Sequence, residues 1–409
     1  MERSIQRLIS AMAEMTIIDA HEHMPSEATV NSRPADIFTH IFAHYTITTA
    51  MSAGGPDREF LHDLSIPVEK RWKAFSPYLD AIRDSGYARA AQVTARELYG
   101  IDDINDSNYL DLQQRLQERN KPGLFDWIFD EKCHIETVLN QGEWMDGISR
   151  PVLGMDKLAL CHNDPGKARL RADEIGIDPE RGIGDFHEFI DAALEEARAA
   201  GYWGIKIGAP IPVDSLSDED AFRIFLKFME NKAVEKEWHA FNLWVIHYVM
   251  RVAPKYGFVV ASHCGICWCN WADFSPRRPT SMIPLLEKYR ETRFDLYHAG
   301  IPYVREMAVI ANSYPNAHVN LCWCHQISPH MTEHFLNEWI DLIPTNKIIA
   351  FGGDNPFAPE KTYGALVVAR ENIARALAVR IKRGTMTEER AVDICRDWCY
   401  NNPKRIYGL

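Results

Sequence analysis

The chain has 409 residues, with 45 Lys and Arg against 57 Asp and Glu, which gives a net charge of −12. Apolar residues make up 46% of it and charged residues 25%, so disorder is excluded as the main state. The acidic balance without a basic block argues against nucleic acid or a membrane surface as partner. No apolar run reaches the roughly 18 residues of a membrane span, and the N-terminus lacks the apolar core of a signal peptide. We therefore expect a cytoplasmic protein that acts on a small-molecule substrate.

Short apolar runs alternate with helical patterns along most of the chain. The runs that predict strands are residues 16–20, 133–139, 152–160, 202–207, 258–262, 293–297, 317–323 and 347–351. Apolar side chains at helical spacing predict helices over 186–200, 218–256 with a break near Trp238, 304–313, 332–343, 363–383 and 387–402. Eight strand–helix units indicate an α/β fold, and specifically a (β/α)8 or TIM barrel.

The segment of about residues 25–130, between the first two predicted strands, departs from this alternation. A structureless loop of that length is improbable in a compact domain, and residues 68–84 and 110–119 have helical patterns. We expect one domain over residues 1–409, with a mostly helical insertion after strand 1. Its two ends should meet beside the first strand, so the insertion should cover the mouth of the barrel or form a subunit contact.

Polar residues stand where the predicted strands end. His21 and His23 follow the first strand and share a face because they are two residues apart. His263 follows the fifth strand, His298 the sixth, and Asp354 the eighth after two glycines. A lone strand-end histidine is more often structural, but four strands with the same pattern favour an active site at the barrel mouth. Imidazoles with a carboxylate suit zinc or a similar divalent metal.

Three segments of the second half resemble the amidohydrolase superfamily, specifically its amidohydrolase-2 branch. They are HAGIPYVREMAVIANSYPNAHVNL, KIIAFGGDNPF and MTEERAVDICRDWCYNNPKRIYGL. The resemblance is good over about 258–409, adequate at residues 15–24 and poor over the insertion. It implies a metal-dependent TIM-barrel enzyme without specifying one reaction.

The resemblance also implies roles for individual residues. His21, His23 and Asp354 would be the core metal ligands, and His263 would complete or bridge the site. His298 would polarise the substrate or orient the attacking water, and Asp354 would double as general base. A bound divalent cation lowers the pKa of its water from 15.7 towards about 7, and an adjacent carboxylate can accept the proton. We expect one zinc ion per chain rather than two.

Lys206, in the fourth strand run GYWGIKIGA, is the ambiguous residue. Some superfamily members carry a carboxylated lysine there that bridges two metals. We favour a plain lysine that pairs with a carboxylate of the substrate. His325 and Trp323, beyond strand seven, and Arg277, beyond strand five, are candidates to line a pocket for an anionic, ring-like substrate.

Nine cysteines, an odd number without a signal peptide, do not indicate a disulfide framework. Cys264, Cys267 and Cys269 have a spacing that resembles a soft-metal site. We favour reduced thiols in a loop, because Cys264 should point away from the strand face that His263 uses.

The function that these features favour is hydrolysis of an amide, lactone or related carbonyl bond of a small polar or anionic substrate, by a homo-oligomeric enzyme. Three alternatives remain open: a non-oxidative decarboxylase of an aromatic or unsaturated acid, a uronate isomerase-like sugar-acid enzyme, and a catalytically silent metal-binding barrel. The segment GGDNP lacks the arginine-bearing turn expected of uronate isomerases, which weakens the second alternative. No ligand is missing from the pattern, which weakens the third.

Overall fold

The computed structural model describes residues 1–155 and 164–409. Its strands in these ranges are β1 Ile17–Glu22, β2 Ile135–Asn140, β3 Val152–Gly154, β4 Gly204–Ile207, β5 Val259–His263, β6 Phe294–Tyr297, β7 Ala317–Asn320 and β8 Ile348–Ile349. Each of the eight predicted strands is present, although most are shorter than predicted. The end of the predicted third strand, residues 156–160, lies outside the described residues. All the strand pairs are parallel, which confirms the α/β fold with a parallel sheet.

Strand pairing divides into two sheets. β1 pairs with β2, and β3 to β8 pair in chain order. An isolated bridge from Val138 to Ser149 links β2 to the residues just before β3. At the other edge, the Ala20 amide of β1 donates to the Phe351 carbonyl beyond β8 at 3.1 Å. The carboxyl ends of β1 and β8, where the sequence places its polar residues, are therefore neighbours.

Helices connect the strands, and none in the described ranges is long and apolar enough to span a bilayer. They are α1 Glu2–Ala13, α2 Glu27–Asn31, α3 Ile37–His40, α4 Tyr45–Ser52, α5 Arg58–His62, α6 Val68–Ile82, α7 Gly86–Tyr99, α8 Tyr109–Arg119, α9 Pro165–Ile175, α10 Ile183–Ala199, α11 Asp218–Met229, α12 Glu235–Val252, α13 Ile283–Lys288, α14 Val304–Ser313, α15 Cys324–Ile327, α16 Pro329–Leu342, α17 Glu360–Lys382, α18 Glu388–Arg396 and α19 Asn402–Tyr407.

The predicted helix over 218–256 is divided, but not at the residue that the pattern indicates. The break lies between α11 and α12, where Asn231 has a φ of 59°. Trp238 is inside α12, and its ring stacks on Phe228 at 4.2 Å. An aromatic contact between the two helices thus places Trp238 after the turn, which apolar spacing alone does not show.

The segment between β1 and β2 forms helices α2 to α8, and its apolar side chains make a cluster of their own from Ala35 to Leu116. A buried ion pair organises it: the Arg71 guanidinium donates to both oxygens of Asp36, at 2.9 and 2.6 Å, and each side chain is 3% exposed. Arg71 also donates to the Leu61 carbonyl at 2.8 Å. Since buried charges are costly unless fully paired, these bonds hold α3, α5 and α6 in one arrangement.

Helix α7 docks this segment on α17 and on α15, with one close glycine contact to each. A Cβ on Gly364 would lie 2.3 Å from the Ala90 carbonyl oxygen, and one on Gly86 would lie 2.4 Å from the Gln326 carbonyl oxygen. The helices approach so closely only because no side chain stands at these positions. The helical segment therefore packs against the strand–helix units and is not merely connected to them through its two ends.

Candidate metal centre

Several non-glycine residues around the carboxyl ends of the strands have a positive φ. φ is 62° at His298 after β6, 74° at Trp323 after β7, 55° at Asp354 after β8, and 71° at His44 in the helical segment. Such conformations cost of the order of 1–3 kcal/mol each in non-glycine residues, and they cluster at functional sites. Here they accompany side chains that meet in front of the sheet.

The two glycines before Asp354 occupy positions where no side chain fits. A Cβ on Gly352 would lie 2.6 Å from Cys322 Cβ, and one on Gly353 would lie 2.1 Å from Glu22 Oε1. The chain after β8 can therefore pass directly against β1 and β7. This close passage places Asp354 beside the end of β1.

Two buried carboxylates support that arrangement from behind. Asp19 Oδ1 accepts hydrogen bonds from the backbone amides of His21, at 3.1 Å, and Gly353, at 3.2 Å. Glu22 Oε1 accepts a hydrogen bond from the Thr362 hydroxyl at 2.7 Å. These two residues are not marked by the strand-end pattern: Asp19 lies inside the predicted first strand, and alternation places Glu22 on the face opposite to His21 and His23.

His21, His298 and Asp354 bring potential metal-ligand atoms to within 4.8 Å of one another. His21 Nε2 lies 3.2 Å and His23 Nε2 lies 3.5 Å from the same oxygen, Asp354 Oδ1. His298 Nδ1 lies 3.9 Å from the other oxygen, Oδ2. The structure thus assembles four of the residues selected from strand ends, which come from β1, β6 and β8.

His263 contacts Nε2 of His298, whereas Asp354 lies nearer to the other ring nitrogen, Nδ1. His263 Nδ1 is 3.1 Å from His298 Nε2, and its Nε2 is 2.7 Å from the Ile266 carbonyl oxygen. The structure therefore brings His263 to His298 and engages both of its ring nitrogens in hydrogen bonds. Its assignment as a metal ligand stays a prediction.

Burial sets the protonation of this group. It lowers the pKa of His21 to about 3 and the pKa of His298 well below the usual range, so both rings are neutral at pH 7. Burial by itself would raise the pKa of Asp354, but contacts with His21, His298 and His23 outweigh it and hold that pKa well below its usual value. Neutral imidazole and ionised carboxylate are the forms that bind a metal.

The ring of His21 gives a test of whether a cation fits. The side chain is buried, and neither ring nitrogen makes a hydrogen bond to any described residue; the 3.2 Å approach of Nε2 to Asp354 lacks hydrogen-bond geometry. A buried polar atom without a partner costs about 1–3 kcal/mol. A divalent cation next to Asp354 would provide the missing partner, and nitrogen and carboxylate donors suit zinc. The residues present therefore fit a metal.

Lys206, on β4, lies close to this group. Its Nζ is 3.7 Å from the centre of the Tyr297 ring, and that ring is 4.5 Å from the ring of His21. Burial lowers the pKa of Lys206 to about 8, so the ammonium is retained at neutral pH but is easily lost above it.

The other predicted substrate-binding residues are placed differently from one another. The Trp323 ring is 5.2 Å from His298 and adjoins the group. His325 is buried, with Nε2 2.8 Å from the Ala350 carbonyl oxygen and Nδ1 3.3 Å from Asn372 Nδ2. Arg277 donates to the Asp273 carbonyl at 3.2 Å, in the loop after β5. Trp323 is thus beside the group, whereas His325 is engaged in the wall behind it.

The cysteine cluster after β5 does not contribute to this group. Cys264 is buried, Cys269 is exposed, and the Cys269 amide donates to the Cys267 carbonyl at 3.0 Å. Within residues 1–155 and 164–409, the three-ligand set that could hold a metal contains no thiol.

Sequence reasoning missed the residues that α4 and α7 bring to the carboxyl ends of the strands, the mouth of the predicted barrel. The His44 ring is 4.9 Å from Trp323, and the Tyr45 ring is 4.8 Å from Trp323. His44 Nδ1 is 3.0 Å from the Tyr87 hydroxyl, and the Tyr45 hydroxyl donates to the Cys267 carbonyl. No motif marks these residues, since they are distant in sequence from every strand end and reach the mouth only through packing of the helical segment.

Comparison with known proteins places the chain in a family. The family model described as Amidohydrolase matches residues 169–409, more than half of the chain, so the protein belongs to the amidohydrolase family. This confirms the resemblance found in the second half of the sequence.

Individual relatives extend the comparison to the rest of the chain. The uronate isomerase of Nostoc punctiforme is 23% identical, over 100% of this chain and 95% of that protein. The fluG protein of Emericella nidulans is 22% identical over 55% of this chain, which spans only 27% of that protein's length. The solved glucuronate isomerase of Caulobacter crescentus has a TM-score of 0.76 at 17% identity and covers 100% of this chain and 94% of that one. Coverage of the whole chain means that the helical segment is not peculiar to this protein.

Proposed function

We propose that the protein is a metal-dependent isomerase of sugar acids, which interconverts a uronate and the corresponding ketose acid. The observation that carries the proposal is that the uronate isomerases named above match the helical segment as well as the strands. The strand-end residues are compatible with several reactions, whereas the segment that brings His44 and Tyr45 to the mouth shapes the substrate pocket.

Hydrolysis, which the motifs favour, is less well supported than this alternative. The family match covers residues 169–409 and omits the helical segment, so it does not distinguish reactions. The absence of an arginine in GGDNP does not exclude a uronate isomerase, because cations from other elements can bind an acidic substrate. Lys206 lies beside the group on β4, and Arg58 lies on α5 in the helical segment.

We also propose that the eight strands close into a single barrel, in one domain with the helical segment as its cover. The contacts Val138–Ser149 and Ala20–Phe351 join the edges of the two sheets in the order that closure requires. This is the TIM-barrel arrangement predicted from the strand–helix alternation.

His21, His23 and Asp354 hold the cation in this proposal, because both imidazoles approach the same carboxylate oxygen. When bound, a divalent cation such as zinc polarises the oxygens of the substrate. His298 lies beside the second oxygen of Asp354, with Nδ1 also 3.2 Å from the Cys322 carbonyl oxygen and Nε2 3.1 Å from His263 Nδ1, and in this proposal it transfers a proton.

Isomerisation moves one proton between C2 and C1 and another between their oxygens, with no atom gained or lost. Asp354, which its surroundings keep ionised, takes the proton from C2 and returns it to C1. Neutral His298, bonded to His263, exchanges the proton between the two oxygens. The ammonium of Lys206 offsets the negative charge that develops on the substrate oxygens.

The test is to follow zinc-loaded protein with D-glucuronate in D2O by proton NMR. We expect a ketose acid to form, with deuterium entering at the carbon that receives the proton. D354N should lose this activity, and D102N, at an exposed position, should keep it. Turnover of lactones or N-acyl compounds without isomerisation of any hexuronate would contradict the proposal.

Four further features are part of the proposal: one metal ion per chain, an uncarboxylated Lys206, a homo-oligomer, and no nucleic-acid or membrane partner. A carbamate mass on Lys206, or two metals about 3.5–4 Å apart, would contradict the first two.

A further inference from the structure

Three nitrogen atoms at the rim of the mouth have no hydrogen-bond partner among the described residues. They are Arg58 Nε, His62 Nε2 and Trp268 Nε1, and each is shielded from solvent. The Arg58 guanidinium lies 4.0 Å from the centre of the Trp268 ring, and His62 is one helical turn after Arg58 in α5. The Phe357 ring lies 5.0 Å from His62 and 6.2 Å from Trp268. The three nitrogens thus belong to one small cluster.

This rim cluster, Arg58, His62 and Trp268, is connected to the candidate metal centre through aromatic contacts. The Trp268 ring is 4.4 Å from His44, His44 is 4.9 Å from Trp323, and Trp323 is 5.2 Å from His298. A molecule that contacts His298 with one end can therefore extend along this wall to the rim cluster.

The cluster is also held rigidly. The carbonyl of Leu61, at the end of α5, accepts a hydrogen bond from Arg71, which is paired to Asp36 in the interior of the segment. Asp57 caps the start of α5 by accepting from the Phe60 amide at 2.7 Å. A binding group that is fixed in advance loses little entropy when a ligand arrives.

Other cations near the mouth are already engaged. Lys361 donates to the Ala43 carbonyl, and Arg277 donates to the Asp273 carbonyl. Lys206 lies deeper, against Tyr297 and close to His21. Arg58 makes no ion pair with any described carboxylate, so its charge at the rim is unmatched.

We propose that Arg58 and Trp268, with His62, bind the carboxylate of the substrate at the rim while the carbonyl end reaches the metal centre. This inference rests on the proposed function and adds the residues that select a sugar acid over a neutral sugar. In an open-chain hexuronate the carbonyl is at C1 and the carboxylate at C6, the two ends of the molecule. Guanidinium and indole N–H groups are donors that suit a carboxylate.

The test compares D-glucuronate with D-glucose, which has a CH2OH group in place of the carboxylate. R58Q should raise KM for D-glucuronate by about tenfold to a hundredfold and lower kcat much less, because a charge-assisted hydrogen bond is lost away from the reacting carbons. R58K should recover part of the loss. W268F, which keeps a ring but removes the N–H, should raise KM less than R58Q does. R33Q, at an exposed arginine in the same segment, should match the wild type.

An unchanged KM in R58Q, with wild-type turnover of D-glucuronate, would overturn the inference and leave the proposed function intact. If the wild type isomerises no hexuronate, the proposed function fails, and calorimetric titration of zinc-loaded protein decides the inference separately. Tighter binding of D-glucuronate than of D-glucose, with the difference lost in R58Q, supports the carboxylate site. No such preference in the wild type overturns it.

Discussion

His21 and Asp354 illustrate at the residue scale how burial and contact prepare side chains for a metal. Burial keeps the imidazole neutral, and the surrounding histidines keep the carboxylate ionised. Together these effects leave a neutral imidazole nitrogen and an ionised carboxylate oxygen, to which a cation can bind.

Replacing Asp354 by asparagine tests this arrangement. We expect D354N to lose stoichiometric zinc and to lower kcat by at least about a hundredfold, because the ligand and the proton acceptor are the same carboxylate. Elemental analysis and steady-state kinetics measure the two effects, and far-UV circular dichroism checks the fold. D102N is the control. A D354N protein with full zinc and near-normal kcat would place the base elsewhere, with His298 the next candidate.

His325 predicts part of the pH dependence of stability. Burial lowers its pKa to about 4 in the folded chain, from about 6.5 when unfolded. Between these pH values the unfolded chain binds more protons than the folded chain. The contribution of neutral His325 to the free energy of unfolding is therefore present above pH 6.5 and is lost as the pH falls towards 4. Its size is of the order of 3 kcal/mol.

The measurement is the free energy of unfolding from pH 4 to 7. We expect H325Q to flatten its slope in this range, and H330Q, at an exposed histidine, to leave the slope unchanged. Equal slopes in the wild type and H325Q would show that His325 is not buried in its neutral form.

At the scale of elements, the contact of α7 with α17 depends on Gly364. An added methyl group would meet the Ala90 carbonyl oxygen at 2.3 Å, and backbone cannot yield as a flexible side chain does. We expect G364A to destabilise the protein by about 1–3 kcal/mol, as overpacked interiors do.

Gly184 provides the matched control for that substitution. It also lies in a helix, α10, but a Cβ there would meet nothing within 4 Å. G184A should therefore be neutral or stabilising by up to about 1 kcal/mol. Chemical denaturation of both variants distinguishes steric clash from helix propensity, and equal effects would contradict the close approach of α7 and α17.

At the scale of the whole molecule, the helical segment and the strands should unfold together. The segment has its own apolar cluster, yet α7 is packed on α17 and the Lys361 amine donates to the Ala43 carbonyl across the boundary. Separation would expose these faces to water. We expect a single transition in which fluorescence and circular dichroism coincide.

Trp72 reports on the segment, because its ring stacks on Tyr109 at 4.6 Å inside it. The part of the fluorescence change on unfolding that is absent in W72F comes from Trp72. It should have the same midpoint as the loss of total helicity. An earlier or later midpoint for that signal would show that residues 25–130 are an independent domain and not a cover fixed to the mouth.

Periodicity and strand-end chemistry in the sequence by themselves determined the strands, the order of strands and helices, and the polar residues that follow them. Local spacing is sufficient for this, because alternation and helical period are properties of neighbouring residues. The family is also readable from contiguous motifs after β6 and β8. The same local information places His21 and His23 on one face of β1.

Only the tertiary structure decided which of these residues meet and what covers them. His263 and His298 each follow a strand predicted from the sequence, yet His298 approaches Asp354 and His263 hydrogen-bonds His298 instead. His44 and Arg58 reach the mouth through packing of helices far from any strand end, for which the sequence has no periodic signal. Such contacts depend on backbone turns and long-range packing, and these follow from the arrangement of the whole chain.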